Sequence, residues 1–126
     1  MSPAKILLVE DDRFIREVYS DIISNAGYFL DTAIDGEEGY SKIKQGGWDL
    51  ILLDIILPKM TGFEIMQKLT ASPPTPPNKS LVFLTNVDDS DDKQKATSIG
   101  QGYIIKSQIT PDDLLIVIKK YLSIIS

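Results

Sequence analysis

The chain has 126 residues, 43% of them hydrophobic and 25% charged, with a net charge of -5 and neither cysteine nor histidine. That length suits one domain with one core, and the missing residue types exclude disulfides, thiolate nucleophiles and Cys- or His-ligated transition metals, leaving carboxylates, hydroxyls, lysine and a hard, oxygen-seeking metal such as Mg2+. The acidic balance argues against direct nucleic-acid binding, no apolar run approaches the roughly 18 residues of a membrane span, and the first residues lead into a strand pattern and not a signal peptide, so the expected compartment is the cytoplasm.

Lys5-Ile6-Leu7-Leu8-Val9 is a short unbroken apolar run, the pattern of a strand buried on both faces, and it ends in Glu10-Asp11-Asp12. From Arg13 to Asn25, Phe14, Ile15, Val18, Ile22 and Ile23 recur at helical spacing, with Asp12 as N-cap and Gly27 as the stop. Phe29 to Ile34 reads as a strand. Asp35 then caps a helix through about Gln45, Glu38 completes a capping-box pattern, and Gly46-Gly47 ends it.

Leu50-Ile51-Leu52-Leu53 is another run of the buried type, closed by Asp54. A carboxylate at that point stays hydrated, is paired, or binds a cation, because burying it alone is costly. By itself such an aspartate is most often a strand cap that opens a loop. Ile55 to Gly62 follows as a loop in which Pro58 fixes one dihedral and Gly62 frees another, and Phe63 to Thr70 is a short helix. Ser72-Pro73-Pro74-Thr75-Pro76-Pro77-Asn78 favours an extended, rigid connector.

Leu81-Val82-Phe83-Leu84 ends in Thr85. Asn86 to Asp92 reads as an acidic loop running into a weakly apolar helix from about Asp91 to Ile99. Tyr103-Ile104-Ile105 is a fifth strand ending in Lys106. Thr110-Pro111 then caps a last helix carrying Leu114, Leu115, Ile118, Tyr121 and Leu122 on one face.

Five strands alternating with five helices predict a three-layer α/β sandwich, a parallel sheet with helices on both faces. The carboxyl ends of parallel strands share one edge, so Glu10-Asp11, Asp54, Thr85 and Lys106 are expected to converge there. Clustered carboxylates repel one another, and a divalent cation relieves that cost. Mg2+ takes a few carboxylates and keeps positions open for phosphate oxygens. One carboxylate is then suited to act as nucleophile towards a phosphoryl group, whose charge Mg2+, the Lys106 ammonium and the Thr85 hydroxyl would meet.

The set Val9-Glu10-Asp11-Asp12, Leu53-Asp54-Ile55-Ile56-Leu57-Pro58 with Gly62, Leu84-Thr85 and Tyr103-Ile104-Ile105-Lys106 resembles the receiver domain of two-component response regulators. The resemblance covers essentially the whole chain, residues 1–126 as one domain. It implies a flavodoxin-like fold of strand order 2-1-3-4-5. It also implies a phosphoacceptor signalling domain, not a turnover enzyme, in which Asp54 takes a phosphoryl group from a histidine on a partner kinase or histidine phosphotransfer protein.

Carried over by residue, the resemblance makes Asp11, Asp54 and the backbone carbonyl of Ile56 ligands of Mg2+, with Glu10 reaching the ion directly or through water. Thr85 becomes the switch hydroxyl, Lys106 the phosphate-pairing lysine and Tyr103 the aromatic that moves inward, altering the surface of the fourth helix and fifth strand for a downstream protein target. Two positions depart from the pattern. Ser107 stands where receivers usually carry proline, and Asn86 where alanine commonly follows the switch hydroxyl. Two other readings stay open: a haloacid-dehalogenase-like phosphatase, which expects a second aspartate where Ile56 stands, and a pseudo-receiver that serves only as an interaction module.

Overall fold

Each apolar run becomes a strand because its neighbours cover both of its faces. The computed structural model describes residues 3–86, 90–98 and 102–124. Its strands are β1 (Lys5–Val9), β2 (Phe29–Ala33), β3 (Leu50–Asp54), β4 (Ser80–Thr85) and β5 (Gly102–Ile105). They alternate with helices α1 (Arg13–Asn25), α2 (Gly36–Lys44), α3 (Gly62–Ala71), α4 (Ser90–Ser98) and α5 (Pro111–Ile124), and a single 3-10 turn, Lys106–Gln108, leads from β5 towards α5. The sheet is parallel throughout, in the order β2-β1-β3-β4-β5. This is the flavodoxin-like sandwich expected from the sequence.

The period of two along a strand divides the core. Ile6, Leu8, Leu50, Leu52, Val82, Leu84 and Ile104 pack with residues of α1 and α5. Leu7, Val9, Ile51, Leu53, Leu81 and Phe83 pack on the other face with residues of α2, α3 and α4. Each fully buried Leu, Ile or Phe contributes about 1.5–3 kcal/mol, so this double covering holds the central strands in register.

Helix ends follow the expected caps. Asp12 accepts from Ile15 N at 2.9 Å and Asp35 from Glu38 N at 2.8 Å, while Glu38 Oε1 reaches back to Ile34 N, also at 2.8 Å. Thr110 and Asp113 cap α5 reciprocally, each side chain accepting from the other's backbone N–H. Gly27 takes φ +93° just past α1, the left-handed stop that glycine permits.

Two details differ from the sequence expectations, while α4 is as weakly apolar as its sequence suggests. Phe14 is 75% exposed, because it sits in the first turn of α1, ahead of the part where Tyr19 and Ile23 reach the core. Ile34 lies past the end of β2, where its N–H goes to Glu38 and leaves the ladder. Among the described residues of α4, only Ala96 is buried. The acidic segment before α4 and the expected end of that helix at Ile99 lie partly outside the described residues.

The proline-rich segment is tied down as a connector. Gly47 N donates to Pro76 O at 3.1 Å, Trp48 N donates to Asn78 Oδ1 at 3.0 Å, and Asn78 Nδ2 donates to Ile43 O at 3.2 Å. These bonds stitch the amino-terminal edge of the sheet, opposite the strand ends that carry the polar groups.

Candidate functional site

The alternation that sorts the core also aims the site. Glu10 continues the series Ile6-Leu8, Asp54 continues Leu50-Leu52, and Lys106 continues Ile104, so all three extend one face of the sheet at its carboxyl edge. Their side chains meet there. Lys106 Nζ lies 2.7 Å from Glu10 Oε1 and 2.8 Å from Asp54 Oδ2. Glu10 is 0% and Asp54 2% exposed, and the Lys106 side chain is 5% exposed.

Asp11 sits at the solvent side of this pair. One oxygen from each of Glu10, Asp11 and Asp54 lies within 4.8 Å of the others. Burial, and then the close approach of the Asp54 carboxyl, push the Glu10 carboxyl up to about 7 against the opposing pull of Lys106. Burial and then the Glu10 charge raise Asp11 as well. Burial works against the Lys106 ammonium, but the carboxylates of Asp54 and Glu10 outweigh it and hold its pKa above the ordinary lysine value.

Asp54 Oδ1 is buried with no hydrogen-bond partner. A buried acceptor left unpaired costs about 1–3 kcal/mol, more when charged. One lysine against three carboxylates leaves the cluster short of positive charge. All-oxygen donors, an orphaned oxygen and a charge deficit together fit a small hard cation such as Mg2+.

The β3–α3 loop that carries Ile56 is fixed by two close approaches. Gly36 N donates to Pro58 O at 3.0 Å, and a Cβ at Gly36 would strike the Met60 carbonyl. Gly62 N donates to Ile55 O at 2.9 Å, and a Cβ there would lie 2.6 Å from the Asp54 carbonyl oxygen. Ile56 itself projects an exposed side chain just beyond Asp54. A groove of about 510 Å³ opens next to it between α3 and α4, lined in part by Ile55, Phe63, Met66 and Lys95.

Thr85 is buried at the end of β4, in register with Ile105, the residue before Lys106. By alternation it follows Leu81 and Phe83 on the α3–α4 face, and Tyr103, half-buried, packs against that same cluster. The sheet thus keeps the charged groups on one face and the hydroxyl and aromatic on the other. Asn86 is exposed directly after Thr85, and Ser107 lies in the 3-10 turn after Lys106.

One residue of the site had no signal in the sequence. Arg16 Nη1 donates to the carbonyl oxygens of Glu10 at 2.9 Å and Asp11 at 3.3 Å, wrapping the acidic turn around its guanidinium. In the linear pattern it is merely a polar position on an amphipathic helix.

A parallel sheet in this order, with three carboxylates and a lysine converging on its carboxyl edge, defines a CheY-like signalling fold. The chain matches the response regulator receiver domain over residues 6–119 and belongs to that family. It is 35% identical over 130 residues to hybrid signal transduction histidine kinase B of Dictyostelium discoideum, covering 94% of this chain and 7% of that protein. It is 32% identical over 111 residues to the transcriptional regulatory protein DltR of Streptococcus agalactiae, covering 88% of this chain and 48% of the relative. The chain therefore spans less than half the length of these two relatives.

Among solved structures, a CheY-like receiver domain protein from Methanospirillum hungatei superposes with a TM-score of 0.84 at 31% identity, covering 97% of this chain and 95% of the other. The chemotaxis response regulator CheY4 of Vibrio cholerae does so with a TM-score of 0.82 at 30% identity, covering 95% and 99%. No helix among the described residues is long and apolar enough to cross a membrane.

Proposed function

We propose that residues 1–126 act as one phosphoacceptor unit, in which Asp54 takes a phosphoryl group from a phosphohistidine on a partner kinase or phosphotransfer protein. The observation that carries this is the buried Asp54 carboxylate, with one oxygen on Lys106 and the other unpaired inside an acidic cluster. In the transfer, a carboxylate oxygen of Asp54 forms a bond to phosphorus as the phosphorus–nitrogen bond of the donor breaks, and the imidazole nitrogen keeps the electron pair.

Glu10, Asp11, Asp54 and the Ile56 carbonyl are the groups that would hold Mg2+. When bound, Mg2+ supplies positive charge against the phosphoryl oxygens. Lys106 exchanges its carboxylate partners for a phosphoryl oxygen, and Thr85 donates its hydroxyl to another. Phosphorylation adds about -1.5 to -2 charge and new acceptor oxygens at the end of β3. Movement of Thr85 towards them opens room for Tyr103 on the same face of the sheet, and the α4–β5 surface changes for a protein target. Sparse packing under α4 suits a segment that shifts at low cost.

The test is incubation with acetyl phosphate and Mg2+, followed by intact mass. The wild-type chain is expected to gain one phosphoryl group and Asp54→Asn none. No gain in the wild type, or an equal gain in both, would overturn the assignment.

A further inference from the structure

We infer that Arg16 is a positioning residue for the cation site, holding the Glu10–Asp11 turn so that both carboxylates face Asp54. The inference rests on the reading that this cluster binds Mg2+. Arg16 lies in the first turn and a half of α1, and its own N–H closes the helix onto Asp12 O at 2.9 Å. Its side chain turns back along the chain. A single nitrogen, Nη1, donates to the Glu10 carbonyl at 2.9 Å and the Asp11 carbonyl at 3.3 Å.

Those two carbonyls belong to the residues whose side chains form two thirds of the carboxylate cluster. Fixing a residue's carbonyl fixes the plane of the following peptide, and with it the direction in which the next side chain leaves the backbone. The turn is gripped from three sides. Glu10 N donates to Ala33 O at 3.0 Å, Asp12 caps α1 through Ile15 N at 2.9 Å, and Arg16 closes the open carbonyl side. Without Arg16, the backbone between β1 and α1 loses the donor that sets its twist.

Arg16 acts as a donor and not as a counter-charge. Among the described residues it makes no ion pair, whereas Lys106 contacts two carboxylates of the cluster directly. This distinction gives the effect a sign. Removing a positive charge beside a cation site tightens cation binding through space. Removing a positioning donor weakens it, as loss of groups that orient metal ligands usually does.

The test is calorimetric titration of the full chain with MgCl2, at a temperature where circular dichroism shows each variant folded. Arg16→Ala is expected to weaken Mg2+ binding about tenfold or more, with Arg16→Lys, which keeps the charge on a shorter side chain without the planar guanidinium, in between. Arg13→Ala removes the same charge from the same helix, where Arg13 pairs with exposed Glu17 at 3.0 Å, and is expected to leave affinity unchanged or slightly tighter. In acetyl phosphate labelling, the half-saturating Mg2+ concentration for Arg16→Lys should rise while the limiting rate is kept.

A folded Arg16→Ala that binds Mg2+ as tightly as the wild type, or more tightly, overturns the inference. If Arg16→Ala does not fold, Arg16→Lys decides: weaker binding supports positioning, and equal binding overturns it. A wild-type chain with no Mg2+ binding at all overturns the reading beneath it, an outcome distinct from any difference among variants.

Discussion

The Glu10 carboxyl is buried among other carboxylates, and the sign of the effect on stability is testable. Its carboxyl is held up to about 7 from an ordinary 4.5, so between those values the folded chain binds a proton that the unfolded chain has released. The stabilisation is complete below 4.5 and is lost as pH rises through about 7. Asp35 and Asp49, whose carboxyls are held below 3.8, act outside this window. In Mg2+-free buffer the melting temperature is therefore expected to fall between pH 5 and pH 8, with the slope flattened in Glu10→Gln. A wild-type melting temperature that rises over that range would contradict the buried, crowded state of Glu10. The residues that meet here were legible in the sequence, because a charge closing a buried strand is conspicuous. The role of Arg16 was not, since it depends on a guanidinium reaching back past the helix start to backbone atoms that no sequence pattern marks.

Among the elements, the β3–α3 loop is the one whose shape the site depends on most directly. It is held against α2 at Gly36 and against the end of β3 at Gly62, where hydrogen takes the place of a side chain. Gly62→Ala puts a methyl against the Asp54 carbonyl, a backbone atom that cannot swing aside. The expected cost is about 1–3 kcal/mol of stability, the usual penalty of overpacking, together with weaker Mg2+ binding as the Asp54 backbone shifts. Denaturant unfolding and calorimetry check the two effects; an alanine variant with both unchanged would show that the loop gives way freely. Element identities were readable from run length and caps, as Asp12, Asp35 and Thr110 show. Facing was less so: Phe14 fits the helical spacing of its neighbours but lies in the first turn of α1 and stays in solvent.

The whole molecule divides its labour between the two edges of the sheet. At the amino-terminal edge, Asn78 joins the proline-rich connector to Trp48 and to the end of α2. Asn78→Ala leaves the Trp48 N–H short of its partner and the Ile43 carbonyl with the Gly46 N–H alone, and is expected to cost about 1–3 kcal/mol in unfolding while leaving Mg2+ affinity as in the wild type. A loss of affinity there would mean that the edges are coupled. Topology was legible because alternating strands and helices admit few arrangements, and the order β2-β1-β3-β4-β5 is one of them. The stitching of the far edge was not, because it runs between loops through side-chain amides and backbone carbonyls.

Lys106 stands 96 positions from Glu10 and 52 from Asp54. During synthesis the acidic turn and β3 emerge first, and the ammonium that pairs with Glu10 and Asp54 arrives only with the last strand. A nascent chain halted before β5 holds mutually repelling carboxylates with no lysine to gather them. The charge balance of the cluster is thus completed only by the fifth strand, the last of the sheet along the chain.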